Sequence, residues 1–394
     1  MPTDFDFDAR IDRRGTHSSK WDKMEALYGV SPVDGIPMWV ADMDFAAPPA
    51  VQAALRKAVE LNVHGYYGDD SDYRAAVANW MKTRHGWEID TDWLSTTHGL
   101  VAGLSHCIRA YTAPGDGIIL FTPVYHAFHK IIAANGRRIV QSVMPMVEGR
   151  YRMDLDALAA SLDGSEKMVV FCSPHNPGGM VWSVEEIRAL AQFCEAHDLI
   201  LVSDEVHHDL VLPGGPKHAV AMVAAPEQAD RMVIMAAASK TFNLAGGMTG
   251  GVFIPNPELR AKFAAKHATA GASPNSMGML MSTAAYAEGA EWLDSLLVYL
   301  DGNRRLFHDA VQAIPGLSSI WPEATYMSLV DFAGTGMEPA EFQARVEKTA
   351  RIAANHGDGF GRGGETTMRF NFALPRALVR EATERLAGAF GDLQ

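Results

Sequence analysis

Lys240 stands in Ser239-Lys240-Thr241-Phe242-Asn243, directly after the apolar run Met232-Val233-Ile234-Met235-Ala236-Ala237-Ala238. A short continuous apolar run bounded by breakers reads as a buried strand. An amine beside such a strand loses solvation, which favours its neutral form. A neutral amine attacks carbonyls and forms Schiff bases. Taken alone, the same lysine equally fits a side chain that snorkels to solvent from a strand end. Two further polar groups follow strand-like runs upstream. Asn176 lies in Ser173-Pro174-His175-Asn176-Pro177-Gly178-Gly179, and Asp204 in Ser203-Asp204-Glu205-Val206-His207. Each gap fits one crossover connection with extra loop, so the three side chains would converge at one end of a sheet. An amide, a buried carboxylate and a lysine together suit pyridoxal phosphate. The lysine holds the aldehyde, the carboxylate keeps the ring nitrogen protonated, and the amide donates to the phenolic oxygen. His207 would reach that same oxygen.

A phosphate needs a cradle. Thr97-His98-Gly99-Leu100-Val101 leads from a strand into a helix over 101–111. A helix N-terminus with glycine presents free N–H groups and a positive dipole end to phosphate. Tyr125, in Thr122-Pro123-Val124-Tyr125, fits either a ring stacked on the cofactor or a core aromatic at a strand end.

The elements that must position these groups alternate through the middle of the chain. Strands are expected over 117–121, 168–172, 199–203 and 232–236, with a helix over 127–134. Ser183 opens another helix with Glu186 three places on, a capping box. Ile187, Leu190, Ala191 and Cys194 give that helix an apolar stripe. The strands are continuously apolar, which suits strands covered on both faces. An α/β domain with a mostly parallel sheet follows, with ligands at the carboxyl ends of the strands. From about Gly289 the pattern turns to long helices and short strands. One helix carries Trp292, Leu296, Tyr299 and Leu300. The closing helix carries Leu378, Ala382, Leu386 and Phe390, with Pro375 near its start. A smaller α+β domain is expected there.

At 394 residues the chain suits two or three domains. The net charge of -13 argues against nucleic acid and against anionic membranes. Cys107, Cys172 and Cys194 form neither a disulfide framework nor a zinc spacing, which fits a reducing compartment. Met1 to Arg10 lacks an apolar signal region, and no run approaches a membrane span. The expectation is a soluble cytoplasmic protein.

The chain resembles the pyridoxal-phosphate enzymes of the class I/II aminotransferase superfamily, and within it the MalY/PatB-type cystathionine β-lyase (C–S lyase) subgroup. The residues that carry the resemblance are Arg13-Arg14-Gly15-Thr16, Lys20-Trp21-Asp22, Trp39-Val40-Ala41-Asp42-Met43-Asp44-Phe45, Gly65-Tyr66, the Asn176 and Asp204 segments above, Ser239 to Gly246, and Arg369-Phe370-Asn371-Phe372-Ala373. The resemblance implies the aspartate aminotransferase-like fold. It implies a large cofactor-binding domain over 46–288 and a small domain from 1–45 and 289–394. By position, Lys240 would carry the cofactor and act as the base at Cα. Asp204 would pair the ring nitrogen, Asn176 and His207 would attend the phenolic oxygen, and Tyr125 would stack on the ring. Gly99, Leu100, Val101 and Ser239 would hold the phosphate. Tyr66 would reach it from the neighbouring subunit, making the active unit a homodimer with shared sites. Arg369 would clamp the substrate α-carboxylate, with the backbone at Ala41 closing over it. Many aminotransferases of the superfamily place an arginine eight residues after the lysine; here Met248 stands there, and Ala237 stands where a serine often helps. The phosphate grip would then lean on the helix N-terminus and Tyr66.

Other signals carry less. Gly359-Phe360-Gly361-Arg362-Gly363-Gly364 matches a dinucleotide fingerprint literally, but follows no clear strand; a loop before the Arg369 strand is expected. His207-His208-Asp209 and His126-x-x-His129 lack a matching third ligand, and adjacent histidines on a strand point apart, so no metal site is read. Gly246-Gly247-Met248-Thr249-Gly250-Gly251 reads as close backbone passage beside the cofactor. Asp42 and Asp44 read as structural, not as a catalytic pair. The resemblance favours α,β-elimination of cystathionine or related cysteine S-conjugates to a thiol, pyruvate and ammonia. An aminotransferase of a small or aromatic amino acid uses the same residues through proton removal. A non-catalytic pyridoxal-phosphate-binding regulator is a third reading; it would need a DNA-binding module ahead of Arg13.

Overall fold

Seven runs pair into one sheet in the order Leu94–Thr97, Gly250–Phe253, Met232–Ala236, Ile200–Asp204, Glu166–Cys172, Gly117–Thr122, Arg138–Val143. The computed structural model that shows this describes residues 5–393. Gly250–Phe253 runs antiparallel to both neighbours; every other pairing is parallel. All four strands expected from the sequence form, within a residue or two of the expected ends.

The central strands are apolar throughout because both faces are covered, and the pleat deals their side chains out alternately. Ile119, Phe121, Val169, Phe171, Leu201 and Ile234 join the core on one face. Ile118, Leu120, Met168, Val170, Val202 and Val233 join the core on the other. The helix Leu100–Tyr111 covers the second face with Leu104, Cys107 and Ile108. The capping box appears as expected. Ser183 Oγ accepts from the Glu186 N–H at 3.1 Å, and Glu186 accepts from the Ser183 N–H at 2.9 Å.

A second, antiparallel sheet runs Ser318–Ser319, Met327–Asp331, Thr367–Asn371, Asn355–His356. Its core includes Val330, Met368 and Phe370, with Val379, Ala382 and Leu386 from the helix Arg376–Ala389. Ile36 and Met38 of the N-terminal stretch belong to the same core, and Ile36–Pro37 pairs in parallel with Ile352–Ala353. One long helix, Ala290–Gln312, spans both bodies of core. Trp292, Leu296 and Leu300 pack with the large sheet, Phe307 and Val311 with the small one.

Candidate active site

The strands Glu166–Cys172, Ile200–Asp204 and Met232–Ala236 are neighbours, and Asp204 pairs in register with Cys172 and Met235. Asp204 ends its own strand. Asn176 and Lys240 lie four residues beyond theirs, Lys240 on the short helical turn Ala238–Thr241. The sheet thus places all three at its carboxyl edge. They line one cavity of about 620 Å³ together with His207, Tyr125, Gly99, Leu100, Val101, Ser239 and Ala41. Arg369 lines an adjoining cavity of about 490 Å³, which shares Ala41, Tyr125 and Lys240 with the first. Tyr66 touches neither: it is 99% exposed in the single chain.

The polar groups of the first cavity lack partners that a cofactor would supply. Asp204 is buried and accepts one bond, from the Val206 N–H at 3.1 Å. Burial pushes its carboxyl up to about 7, and it has no ion-pair partner among the described residues. A cationic ring nitrogen is the partner such a carboxylate lacks. His207 Nδ1 is buried without a hydrogen bond. Burial holds this histidine well below its ordinary pKa, and the nearby Lys240 and Arg369 charges push the same way. It is therefore neutral. Gly99 has φ +81°, in the left-handed region that favours glycine, so no side chain covers the helix start behind it. The first intrahelical bond there is Gly103 N–H to the Gly99 carbonyl, which leaves the N–H groups of Leu100, Val101 and Ala102 free for an anion. Gly250 runs so close to this turn that a Cβ on it would meet Leu100 Cδ2 at 2.6 Å, as expected for the glycine-rich stretch. These donors fit pyridoxal phosphate. Met248 and Thr249 also line the cavity, and the Thr249 hydroxyl donates to the Gly247 carbonyl at 3.1 Å.

Lys240 Nζ donates to the Ala41 carbonyl at 2.6 Å. Burial lowers its pKa to about 8, against the pull of Asp42 and Asp204. Arg369 is buried, and all its bonds go to neutral oxygens: Asn176 Oδ1 at 3.0 Å, the Trp39 carbonyl at 2.8 Å, and Asn355 Oδ1. Its Nε has no partner, and Phe360 lies under the guanidinium at 5.2 Å. Burial lowers its pKa to about 10.

The segment Trp39 to Phe45 forms a strap across both cavities, and several residues without a prior role hold it there. Asp42 and Asp44 carry structural roles, as expected, through ion pairs that the sequence does not announce. Arg13 bonds both carboxylates, and Lys20, fully buried, reaches Asp44 at 3.1 Å. Asn243, at φ +59°, donates to the Met43 and Phe45 carbonyls and accepts from the Met43 N–H at 2.9 Å. Tyr326 Oη donates to the same Ala41 carbonyl as Lys240, at 2.9 Å.

One expectation needs correction. His207-His208-Asp209 is a turn after the strand, not a strand, so its histidines do not alternate across a sheet. The fold also supplies a third group near His208 and Asp209: the donor atoms of His85, His208 and Asp209 lie within 4.8 Å of one another. The Gly359 to Gly364 stretch precedes the strand of Arg369, as expected, but it begins within a 3-10 turn, Gly357–Phe360, that follows the short strand Asn355–His356.

The family description Aminotransferase class I and II matches residues 34–386. Cystathionine beta-lyase PatB of Bacillus subtilis is 36% identical over 97% of this chain and 99% of its own. Protein MalY of Escherichia coli is 30% identical over 98% of each. The structure of cystalysin from Treponema denticola, which contains a pyridoxal 5'-phosphate cofactor, superposes with a TM-score of 0.94 at 34% identity, covering 99% of this chain and 100% of that one. With its sheet order, its cavity and these relatives in agreement, the chain belongs to the class I and II aminotransferase family and has that family's fold.

Proposed function

We propose that the protein is a pyridoxal-phosphate-dependent carbon–sulfur β-lyase that cleaves L-cystathionine or related cysteine S-conjugates to a thiol, pyruvate and ammonia. The observation that carries the substrate class is Arg369, a buried guanidinium with no acidic partner among the described residues, beside the Lys240 amine. A buried charge held only by neutral oxygens is costly until an anion arrives. The α-carboxylate of an amino acid supplies that anion in a two-point pair. The name of one relative, cystathionine beta-lyase PatB, favours elimination over amino transfer.

Pyridoxal phosphate, when bound, supplies an electron sink for the charge left on deprotonating Cα. Asp204 would pair with its ring nitrogen, the cation that this buried carboxylate lacks. Asn176 has its amide oxygen committed to Arg369, so its NH2 end is left to donate. His207, neutral, serves the same oxygen as Asn176. The free N–H groups of Leu100 to Ala102 and the Ser239 hydroxyl would take the phosphate. Arg369 fixes the substrate so that its Cα hydrogen faces Lys240. Lys240 Nζ takes that proton, and its lowered pKa leaves a useful fraction of neutral amine near pH 8. The Ala41 carbonyl holds Nζ at the junction of the two cavities. The thiolate then leaves from Cβ.

The active unit in this reading is a homodimer, with Tyr66 of the partner subunit completing the phosphate site. Leu61 and Val63, 70% and 71% exposed beside it, give this face an apolar surface to cover. The three buried free thiols suit a cytoplasmic setting. The large domain is taken as 46–288 and the small one as 1–45 with 289–394.

The test is incubation of the cofactor-loaded protein with L-cystathionine in the absence of any 2-oxo acid, following pyruvate and free thiol. Both should appear, and Lys240→Ala should abolish them. Amino transfer to an added 2-oxo acid, with no pyruvate or thiol in its absence, would replace elimination by transamination.

A further inference from the structure

Behind the cavity wall lies a buried polar cluster that the proposed chemistry does not use. Its hub is Asp209. One carboxylate oxygen accepts from the Thr241 hydroxyl at 2.7 Å, and the other meets His85 Nε2 at 2.7 Å. The Trp80 indole N–H donates at 3.0 Å, and His208 Nε2 lies 3.1 Å away. Asp209, His208 and Thr241 are buried. Burial opposes ionisation of Asp209, but His208 and His85 hold it well below the ordinary carboxylate range. A second carboxylate sits behind the first. Glu205 bonds His218 Nε2 at 3.0 Å, the Ser203 hydroxyl at 2.9 Å and the Ala221 N–H at 2.9 Å, and its own carbonyl meets His208 Nδ1.

The cluster joins two turns that carry cavity residues. In the turn after Asp204, Asp204, Val206 and His207 line the cavity, while Glu205, His208 and Asp209 belong to the cluster. In the turn after Ala236, Lys240 lines the cavity and Thr241, its neighbour, bonds Asp209. The local backbone on the third side is also unusual. Trp80 ends the helix Ser71–Trp80, and a π-helical turn, Met81–His85, follows. In an α-helix, residues five apart point about 140° away from each other. The wider π-turn brings Trp80 and His85 onto the same carboxylate, and such turns recur at functional sites. The three donors approach closely enough for a metal ion. However, the Trp80 and Thr241 hydrogens already occupy both carboxylate oxygens, which favours a hydrogen-bonded clamp.

We propose that Asp209 is a positioning residue that fixes the Lys240 turn against the turn bearing Asp204 and His207, with Thr241 as the direct link and His85 and Trp80 as its rear support. This rests on Lys240 being the reacting amine. A displacement of about 1 Å at a reacting group costs up to about 10²-fold in rate, so a link at the residue next to Lys240 has leverage on the chemical step and little on substrate affinity.

The experiment compares Thr241→Val, which keeps the shape and deletes the hydroxyl, with Thr241→Ser, which keeps the hydroxyl. Two readouts are taken on the cofactor-loaded protein: steady-state kinetics with L-cystathionine, and amide hydrogen exchange at 205–210 and 238–243. Thr241→Val should lower kcat about tenfold at nearly unchanged KM, and should speed exchange in both segments together. Thr241→Ser should restore both. Unchanged exchange with kcat within about twofold of the parent overturns the proposal, as does a loss that Thr241→Ser fails to restore. If Thr241→Val does not fold, His85→Asn reads the same link from the far side: exchange at 238–243 must rise although Thr241 is untouched, and no rise overturns it. Because exchange needs no turnover, failure of the lyase reading and failure of the clamp are separable. An equimolar bound metal found by elemental analysis of the parent protein would replace the clamp by a metal centre.

Discussion

The Lys240 amine donates to the carbonyl of Ala41 at 2.6 Å, across 199 residues of chain. The acceptor belongs to the strap, so the proposed base and the segment that borders both cavities share one contact. Burial sets the Lys240 pKa at about 8. As a base it must be unprotonated, so the rate of pyruvate release at saturating substrate should climb with pH and level off above about 8. A flat profile from pH 6 to 9 would remove Lys240 from the rate-limiting proton transfer. For stability of the cofactor-free protein the sign is fixed by the depressed folded pKa. Between about 8 and the ordinary 10.5 the unfolded chain binds more protons, so Lys240 makes stability rise with pH in that window.

Asp204 behaves oppositely. Its folded pKa is raised from 3.8 to about 7, so its contribution to cofactor-free stability is complete below 3.8 and is lost as pH rises through 7. Asp204→Asn should therefore stabilise the cofactor-free protein at pH 8 by about 1–3 kcal/mol, while weakening cofactor binding and cutting turnover. Thermal melts of both forms at pH 5 and pH 8 check this; equal melting temperatures for the two cofactor-free proteins at pH 8 would contradict it.

Arg369→Lys keeps a charge and loses the two-point geometry. It should lower kcat/KM for cystathionine by roughly 10²-fold, mostly through KM. Arg369→Met should do more damage to activity, yet raise the melting temperature, because it removes a buried cation without an acidic partner. Kinetics and melts on the same preparations separate the two effects.

Asn243 locks the strap with three bonds from one amide, and its φ of +59° suits asparagine. Asn243→Ala leaves backbone groups of Met43 and Phe45 unpartnered and should destabilise the fold by about 2–4 kcal/mol. KM should rise with it, since Ala41 of the strap lines both cavities. Denaturant titration gives the first quantity; a change under about 0.5 kcal/mol would show that the strap is held elsewhere.

Subunit hybrids test the proposed sharing of the site between subunits. Mixing and refolding Lys240→Ala with Tyr66→Ala should regain about a quarter of parental activity, since half the dimers are mixed and each has one intact site. No recovery, with hybrids shown to form, would place Tyr66 in its own subunit's business only.

The sequence exposed Asn176, Asp204 and Lys240 because each marks the end of an unmistakable apolar strand, and neighbouring strands bring such ends together. The fold class follows from the same strands. Arg369 and the strap were legible only through likeness to a family; nothing in their local pattern states a role. The contacts that hold the site escaped because they join distant segments. Tyr326 meets Ala41 across 285 residues and His85 meets Asp209 across 124. The π-turn at Met81–His85 continues a helical pattern without a break, so periodicity does not reveal it.

The Ala41 contact has one further consequence. Lys240 and Tyr326 both address a main-chain oxygen, which every amino acid carries. An alanine scan or a deep mutational survey would score position 41 by the bulk it adds and never by the contact it makes. Only a change to the peptide link itself, such as an amide-to-ester exchange after residue 41, would weaken that acceptor and expose how much of the placement of the Lys240 amine depends on it.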